Sequence, residues 1–324
     1  MEEITLGKAL NDALMHCMEE DERVLVMGED VVTGIFPTTK GLVEKFGKDR
    51  VINTPLSEAG FSGMGVGASV LGMRPVIEIM LMDFSTVAMD MIANQAPKQR
   101  YMSGGQLNCP VVIRTVTGGG RRVGALHSQN LCAWFMHAPG LKVIIPSTPY
   151  DAKGLLISAV RDPNPVLFVE HRLLYGIKGP VPKEPYSIPM GEADIKREGE
   201  DVTLVSSGRM VHLALEAAEK LALRGIDAEV IDLRTLDPLD EETIVESVKK
   251  TGRLVTLDEG YERAGVGSEI VAVVMRQISA LKAPVQTIAA PNAPVPVSPA
   301  LEDLYYPNVD SIMKRIESML DTGA

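Results

Sequence analysis

Short apolar runs alternate with amphipathic segments of helical length along most of the chain. Residues 24–27 form a run typical of a strand buried on both faces, and residues 6–18 carry an apolar stripe with helical spacing. Strands that alternate with helices usually pair in parallel and are covered by helices on both faces. The alternation therefore predicts the α/β class.

The alternation is interrupted once. Residues 175–200 contain Pro180, Pro182, Pro185 and Pro189 among charged residues and show no sustained period, which is typical of a linker. The chain has 324 residues, and ~150 residues is an ordinary length for one domain. We therefore predict two α/β domains with parallel sheets flanked by helices. Their bounds are a first domain at 1–185, a linker at 186–200 and a second domain at 201–324.

Charge and cysteine content narrow the classes of partner and compartment. The formal net charge is −11 and no block of Lys or Arg occurs, which argues against nucleic acid or an anionic membrane as a partner. No apolar run reaches the ~18 residues that a membrane span requires, and the first residues lack the features of a secretory signal. Cys17, Cys109 and Cys132 are too scattered for a disulfide framework. These features predict a cytoplasmic protein.

Two glycine-rich segments are candidates for phosphate binding. Residues 63–68 (GMGVGA) match the dinucleotide fingerprint of nicotinamide dehydrogenases, but residues 55–60 separate them from the preceding strand, which favours close packing of a small-residue helix. Residues 118–120 (GGG) follow a predicted strand, yet no Lys-Ser/Thr pair follows them. A flexible loop that delivers the next segment to a site is the favoured interpretation there.

Individual polar residues do not reveal a function by type alone. His127 follows the glycine loop, and a lone histidine is more often structural than catalytic. Glu58 near a helix start is favoured by the helix dipole without any catalytic role. Glu29 at a strand end is also compatible with a solvated carboxylate.

Motifs in both halves of the chain resemble those of one known family. In chain order they are residues 28–31 (GEDV), 53–63 (NTPLSEAGFSG), 101–105 (YMSGG), 127–129 (HSQ), 137–143 (HAPGLKV), 151–155 (DAKGL), 229–235 (EVIDLRT) and 238–240 (PLD). The family is the beta subunit of the thiamine-diphosphate-dependent decarboxylase component of 2-oxo-acid dehydrogenase complexes, of the pyruvate, branched-chain or acetoin type. The resemblance implies a thiamine-diphosphate pyrimidine-binding fold followed by a transketolase C-terminal-like domain.

The resemblance also implies roles for particular residues. Glu58 would hydrogen-bond N1′ of the aminopyrimidine, and Glu29 would lie in the same cavity. Phe84 would pack against the pyrimidine, with simple core packing as the alternative. His127 would lie near the thiazolium and assist substrate binding or proton delivery to the lipoyl sulfur. His171 closes a predicted strand, and from that position it would line the cavity or stabilise a turn.

The implied activity is oxidative decarboxylation of a 2-oxo acid, or acetoin oxidation, with transfer of the acyl group to a lipoyl disulfide. A noncatalytic assembly paralogue and an NAD-dependent dehydrogenase are the alternatives. The turn at 161–165 (RDPNP) resembles one whose carbonyls hold potassium in some relatives, which makes Asp162 and Asn164 candidate ligands.

A missing motif indicates a partner. Thiamine-diphosphate enzymes normally hold the diphosphate through Mg²⁺ bound by a Gly-Asp-Gly sequence, and this chain contains none. The resemblance therefore implies an alpha subunit that supplies the metal half of the site, an α2β2 assembly with self-association of beta subunits, and a lipoyl acyltransferase core. Pro97 additionally predicts a kink or an early stop near Ala96 in a helix at 87–102.

Overall fold

A computed structural model describes residues 1–321 of the chain, which form two compact units. The first unit comprises Met1–Thr117 and Trp134–Met190, and the second comprises Gly118–Ala133 and the chain from Gly191 onward. The division after Met190 falls inside the linker expected at 186–200. The last three residues of the expected second domain lie outside the described part of the chain.

The first unit contains strands, α-helices and single turns of other helix types. Its strands are β1 (Glu2–Thr5), β2 (Val24–Gly28), β3 (Val51–Asn53), β4 (Arg74–Ile79), β5 (Val112–Thr117), β6 (Lys142–Ile144), β7 (Val166–His171) and β8 (Lys178–Val181). Its helices are α1 (Leu6–Glu20), α2 (Leu42–Phe46), α3 (Glu58–Val70), α4 (Ala96–Met102), α5 (Cys132–Met136, which begins in the second unit's segment) and α6 (Pro149–Arg161). The 3-10 helices are Pro37–Thr39, Met82–Thr86 and Arg172–Leu174, and Asp90–Gln95 is a π-helix.

The sheet of the first unit runs in the order β6-β7-β5-β4-β2-β3, and all its strand pairs are parallel. Its two faces are covered by different helices, as alternation along β4 shows. Val76 packs in the buried cluster that α1 and α6 form, whereas Ile77 faces Gly65 of α3. The predicted parallel sheet between helices is therefore confirmed. A separate antiparallel pair joins β1 to β8, which the sequence pattern did not indicate.

Pro97 ends one type of helix and begins another. The π-helical turn stops at Gln95, and α4 begins at Ala96 with the proline in its first turn. The Ala96 N–H donates to the Met91 carbonyl five residues earlier, so helical hydrogen bonding reaches the residue before the proline. The helix therefore changes type at Ala96 and continues to Met102, so the predicted early stop near Ala96 is wrong.

The second unit has a smaller sheet with helices packed on it. The strands of this unit are β9 (Asp194–Arg197), β10 (Val202–Ser206), β11 (Ala228–Asp232), β12 (Thr235–Asp237), β13 (Leu254–Tyr261) and β14 (Gln286–Ala290), of which β12 is not part of the smaller sheet. Its helices are α7 (Arg209–Ala222), α8 (Glu241–Thr251), α9 (Val266–Gln277), α10 (Pro299–Tyr305) and α11 (Val309–Asp321). The sheet order is β14-β13-β10-β11-β9, parallel except for the edge strand β9.

Two features of the second unit differ from the sequence-based expectation. Residues 194–197, which were expected in the linker, form β9, because they pair antiparallel with the exposed edge of β11. Residues 118–133, which were expected in the first domain, group with the second unit. Within residues 1–321, no helix combines the length and apolarity that a bilayer crossing requires.

Candidate active site

Three candidate residues follow neighbouring strands of the first sheet. β2 lies between β3 and β4; Glu29 comes directly after β2, Glu58 follows β3 after a short loop, and Phe84 follows β4 in the same way. The carboxyl ends of parallel strands meet at one edge of a sheet, which is where open α/β sheets bind ligands. The structure thus brings Glu29, Glu58 and Phe84 to one edge.

Glu29 is a buried carboxylate without a hydrogen-bond partner among the described residues. The residue is 5% exposed, and neither carboxylate oxygen accepts a hydrogen bond within residues 1–321. Burial raises the pKa of Glu29 above its ordinary value, and the negative charges of Glu58 and Asp30 raise it further. A buried polar group without a partner costs free energy. Glu29 therefore fits a ligand or a bound water that completes its hydrogen bonds.

The backbone around Glu29 is fixed by the neighbouring strand. The Asn53 side chain accepts a hydrogen bond from the Val32 N–H at 2.9 Å, and the Thr54 N–H donates to the Gly28 carbonyl at 3.0 Å. These bonds join the turn after β2 to the loop that leads into α3. The two carboxylates at this edge are thereby carried by segments that are directly hydrogen-bonded to each other.

Glu58 occupies the first turn of α3 and is half-buried. The preceding Pro55-Leu56-Ser57 loop is exposed, with Leu56 82% exposed. The partial positive charge of the helix N-terminus favours a carboxylate there. Phe84 is also half-buried, in the 3-10 helix Met82–Thr86. Both side chains are therefore partly exposed at this edge of the sheet.

The glycine-rich sequence 63–68 lies within α3 and opens no helix. A Cβ on Gly65 would lie 2.4 Å from Cδ1 of Ile77 on β4, so this glycine permits close helix-to-sheet packing. A dinucleotide fingerprint must instead form the turn between a strand and a helix. The packing interpretation is therefore the one that the structure supports.

His127 lies in the second unit, within residues 118–133. Its side chain is exposed, whereas the adjacent Ser128 is buried. His171 is buried at the end of β7, where its Nδ1 accepts a hydrogen bond from the Leu173 N–H at 3.2 Å. Of the two roles considered for His171, stabilisation of a turn is the one with a contact to support it.

The turn at 161–165 already holds two cationic side chains. The Lys142 ammonium pairs with the Asp162 carboxylate, and Arg74 Nη1 donates to the Asp162 carbonyl at 3.5 Å as well as to the preceding Val160 carbonyl at 2.9 Å. The Asn164 N–H and side-chain amide donate to Asp162 Oδ1 at 2.8 and 3.1 Å. Within residues 1–321, no group of three or more His, Cys, Asp or Glu side chains is arranged to bind a metal ion.

A charged network inside the first unit escaped the sequence interpretation. Arg114 is fully buried on β5, and its guanidinium lies 2.6 Å from both Glu78 on β4 and Glu170 on β7. Glu170 also accepts hydrogen bonds from Tyr175 Oη at 2.6 Å and Thr38 Oγ1 at 3.2 Å. Burial raises the pKa of Glu78 despite the adjacent guanidinium. The one sequence signal was an arginine directly after the apolar run at 111–113.

Comparison with known proteins agrees with this architecture. The family model described as transketolase, pyrimidine binding domain matches residues 2–178, and that described as transketolase, C-terminal domain matches residues 191–312. A solved structure described as a split gene transketolase, in an inactive beta4 tetramer, shares the fold with a TM-score of 0.82 and 24% identity over 99% of both chains.

Curated relatives are similar over almost the whole chain. The beta subunit of acetoin:2,6-dichlorophenolindophenol oxidoreductase from Cupriavidus necator is 50% identical over 99% of this chain and 98% of its own length. The beta subunit of the pyruvate dehydrogenase E1 component from Rhizobium meliloti is 48% identical over 98% of this chain and 70% of its own length. The two matched family regions fall on either side of the division after Met190.

Proposed function

The chain belongs to the family of transketolase-like beta subunits of pyruvate and acetoin dehydrogenases, and we propose that it supplies the pyrimidine half of a thiamine-diphosphate site. The reaction would be oxidative decarboxylation of a 2-oxo acid, or acetoin oxidation, with acyl transfer to a lipoyl group. The observation that carries the proposal is the buried Glu29 carboxylate near Glu58 at the carboxyl edge of the sheet, whose oxygens accept no hydrogen bond from residues 1–321. Thiamine diphosphate, when bound, supplies the carbon nucleophile and the electron sink that decarboxylation needs.

Glu58 would share a proton with N1′ of the aminopyrimidine. The first turn of α3 presents its carboxylate at the sheet edge, and its half-buried position limits competition from water. A carboxylate that holds a proton at one stated ring nitrogen acts as a positioned general acid or base. This role assigns to Glu58 the proton transfer that prepares the cofactor for attack.

Glu29 would act together with Glu58 as a coupled pair of carboxyls. Two neighbouring carboxylates in a shielded site do not both ionise readily, because each negative charge disfavours the other. The raised pKa of Glu29 means that this carboxyl retains its proton to higher pH than an ordinary glutamate does. In that form it can donate a hydrogen bond or pass a proton through a bound water.

Phe84 and His127 would complete the roles assigned to this chain. The half-buried Phe84 ring would pack against the pyrimidine and exclude water. His127 would assist binding of the substrate or delivery of a proton to the lipoyl sulfur, as an exposed imidazole can at neutral pH. Both roles rest on the motif resemblance together with the positions described above.

An alpha subunit would supply the metal half of the site. The chain has no Gly-Asp-Gly sequence for the Mg²⁺ that neutralises the diphosphate, and the two relatives described above are named as beta subunits. We propose an α2β2 assembly with contacts between beta subunits, which would dock on a lipoyl acyltransferase core. Potassium binding at the 161–165 turn remains a prediction. The positive charges that Lys142 and Arg74 already place there oppose the binding of a further cation.

A cytoplasmic location is also part of the proposal. Cys17, Cys109 and Cys132 are buried free thiols, and burial raises the pKa of Cys17 to about 12. Thiols with raised pKa values stay protonated and react slowly with oxidants. All three cysteines are free, as is usual in a reducing compartment such as the cytoplasm.

The test is a substitution in the complex with the alpha subunit. Glu58→Gln keeps the size of the side chain and removes its ability to exchange a proton, so 2-oxo-acid-dependent reduction of a dye acceptor should fall at least about 100-fold. Glu44→Gln changes an exposed glutamate of α2 and serves as the matched control. Full activity of Glu58→Gln would exclude the mechanism. No turnover by the wild-type complex would instead favour the noncatalytic paralogue.

A further inference from the structure

The segment at 118–133 that carries His127 is held by side-chain contacts more than by secondary structure. Residues 118–131 form neither helix nor strand. Gly118, Gly120 and Arg122 have positive φ angles of 105°, 83° and 62°. A left-handed backbone costs an arginine free energy that glycine avoids, so other interactions must stabilise this conformation.

Glu302 supplies such interactions from α10 in the same unit. Its side chain is fully buried; Oε1 accepts a hydrogen bond from the Gly120 N–H at 2.9 Å, and Oε2 accepts one from the Arg122 N–H at 3.1 Å. Oε2 also accepts from Arg122 Nη1 at 2.6 Å. One carboxylate thus binds two backbone N–H groups and a guanidinium across 180 residues of sequence. Charge-assisted hydrogen bonds of this kind are the stronger ones in proteins.

Tyr306, which directly follows α10, contacts the same segment at two places. A Cβ on Gly119 would lie 1.9 Å from the Tyr306 ring, so the ring packs directly on the backbone there. The Tyr306 hydroxyl donates to the Ser128 carbonyl at 3.2 Å, one residue beyond His127. Glu302 and Tyr306 therefore fix both the start of the segment and the part next to His127.

We infer that Glu302 is a positioning residue for the reaction, because it holds the 118–133 segment in the conformation that places His127. The part of the inference that concerns catalysis rests on the role proposed for His127 above. The part that concerns the segment rests only on contacts within the second unit.

Asp303 provides a matched control for Glu302. It contacts the same guanidinium through Arg122 Nη2 at 2.5 Å, but its side chain is 67% exposed and neither oxygen accepts from the Gly120 or Arg122 N–H in the described structure. Glu302→Gln replaces one of the two acceptor oxygens with an NH2 group. That group cannot accept from the backbone N–H or guanidinium that faces it. Asp303→Asn removes only an exposed charge pair, which contributes little.

The first measurement is hydrogen exchange on the full-length chain. In Glu302→Gln, the amides of Gly120 and Arg122 should exchange about 10- to 100-fold faster than in the wild type, because a charge-assisted hydrogen bond of each is lost. Asp303→Asn should leave them unchanged. Tyr306→Phe, which keeps the ring in place, should speed exchange around Ser128 and provides a second variant if Glu302→Gln does not fold. Wild-type exchange in both Glu302→Gln and Tyr306→Phe would overturn the inference.

The second measurement is a double-mutant cycle in the complex with the alpha subunit. Glu302→Gln should lower kcat with little change in KM, and adding it to His127→Asn should cause no further loss, since both act through the same imidazole. Multiplicative losses would overturn the positioning role. A wild-type complex without turnover would contradict the proposed function alone, because hydrogen exchange would still decide whether Glu302 holds the segment.

Discussion

The buried Arg114 network allows a sharp prediction, because its two carboxylates have different surroundings. Three side chains donate hydrogen bonds to Glu170, namely Arg114, Tyr175 and Thr38. The donor that contacts Glu78 in the described structure is Arg114 Nη1. Changing each glutamate to glutamine should therefore have unequal effects on the free energy of unfolding.

Glu170→Gln should destabilise the first unit by about 3–5 kcal/mol, the cost of breaking a buried ion pair. The glutamine NH2 group would face the donors Arg114, Tyr175 and Thr38, and at least one of these donors would lose its acceptor. Glu78→Gln can still accept from Arg114 through its carbonyl oxygen and leaves one carboxylate opposite one guanidinium. It should cost about 1 kcal/mol or less.

The pH dependence has a definite sign. The pKa of Glu78 is higher in the folded state than in the unfolded state, mainly because of burial. Its contribution to stability is present below the ordinary glutamate pKa and is lost as the pH rises through the folded pKa. Glutamine at this position does not ionise and so avoids this loss. The free energy of unfolding of Glu78→Gln, relative to that of the wild type, should therefore increase between about pH 5 and about pH 8.

The assay is urea unfolding monitored by tryptophan fluorescence. Trp134 is the chain's single tryptophan and belongs to the first unit, so its signal reports on that unit. The urea midpoints of the wild type, Glu78→Gln and Glu170→Gln are measured at about pH 5 and about pH 8. Their shifts give the differences in the free energy of unfolding. Equal destabilisation by the two substitutions, or a penalty of Glu78→Gln that grows with pH, would refute the reasoning.

Three further predictions concern the helix, the site and the turn. Gly65→Ala should destabilise the chain by about 1–3 kcal/mol because of the Ile77 contact, whereas Gly67→Ala, with nothing within 4 Å of its Cβ, should stabilise it by about 0.5–1 kcal/mol; urea midpoints measure both. The pH profile of kcat/KM should show an inflection above the usual carboxyl range that Glu29→Gln lacks. Potassium should raise the thermal stability of Lys142→Met above that in sodium if the 161–165 turn binds the ion, and equal midpoints in the two salts would exclude it.

Local pattern predicted most of the elements that build the two sheets. The apolar stripe at 6–18 became α1, and the run at 24–27 became most of β2. The antiparallel pair β1–β8 and the edge strand β9 were missed, because pairing with a distant segment leaves no periodic signal in such short stretches. Partners distant in sequence also decided which unit residues 118–133 join.

The candidate site shows the same limit. The motif resemblance named Glu29, Glu58 and Phe84, and the strand order explains why they share an edge. The sequence could not indicate that the Glu29 carboxylate is buried without a described partner, because burial depends on the surrounding fold. Glu302 carries no local signal of its contacts, since its partners lie 180 and 182 residues away.

The most direct test of the central claim compares the chain alone with the chain co-purified with its alpha subunit. Thiamine diphosphate and Mg²⁺ are titrated by calorimetry into each preparation, and 2-oxo-acid-dependent dye reduction is measured in parallel. We predict saturable cofactor binding and turnover only in the complex, because this chain contains the proposed site residues Glu58 and Glu29 but no Gly-Asp-Gly metal motif. Mg²⁺-dependent binding and turnover by the chain alone would contradict the claim that it forms half of an active site.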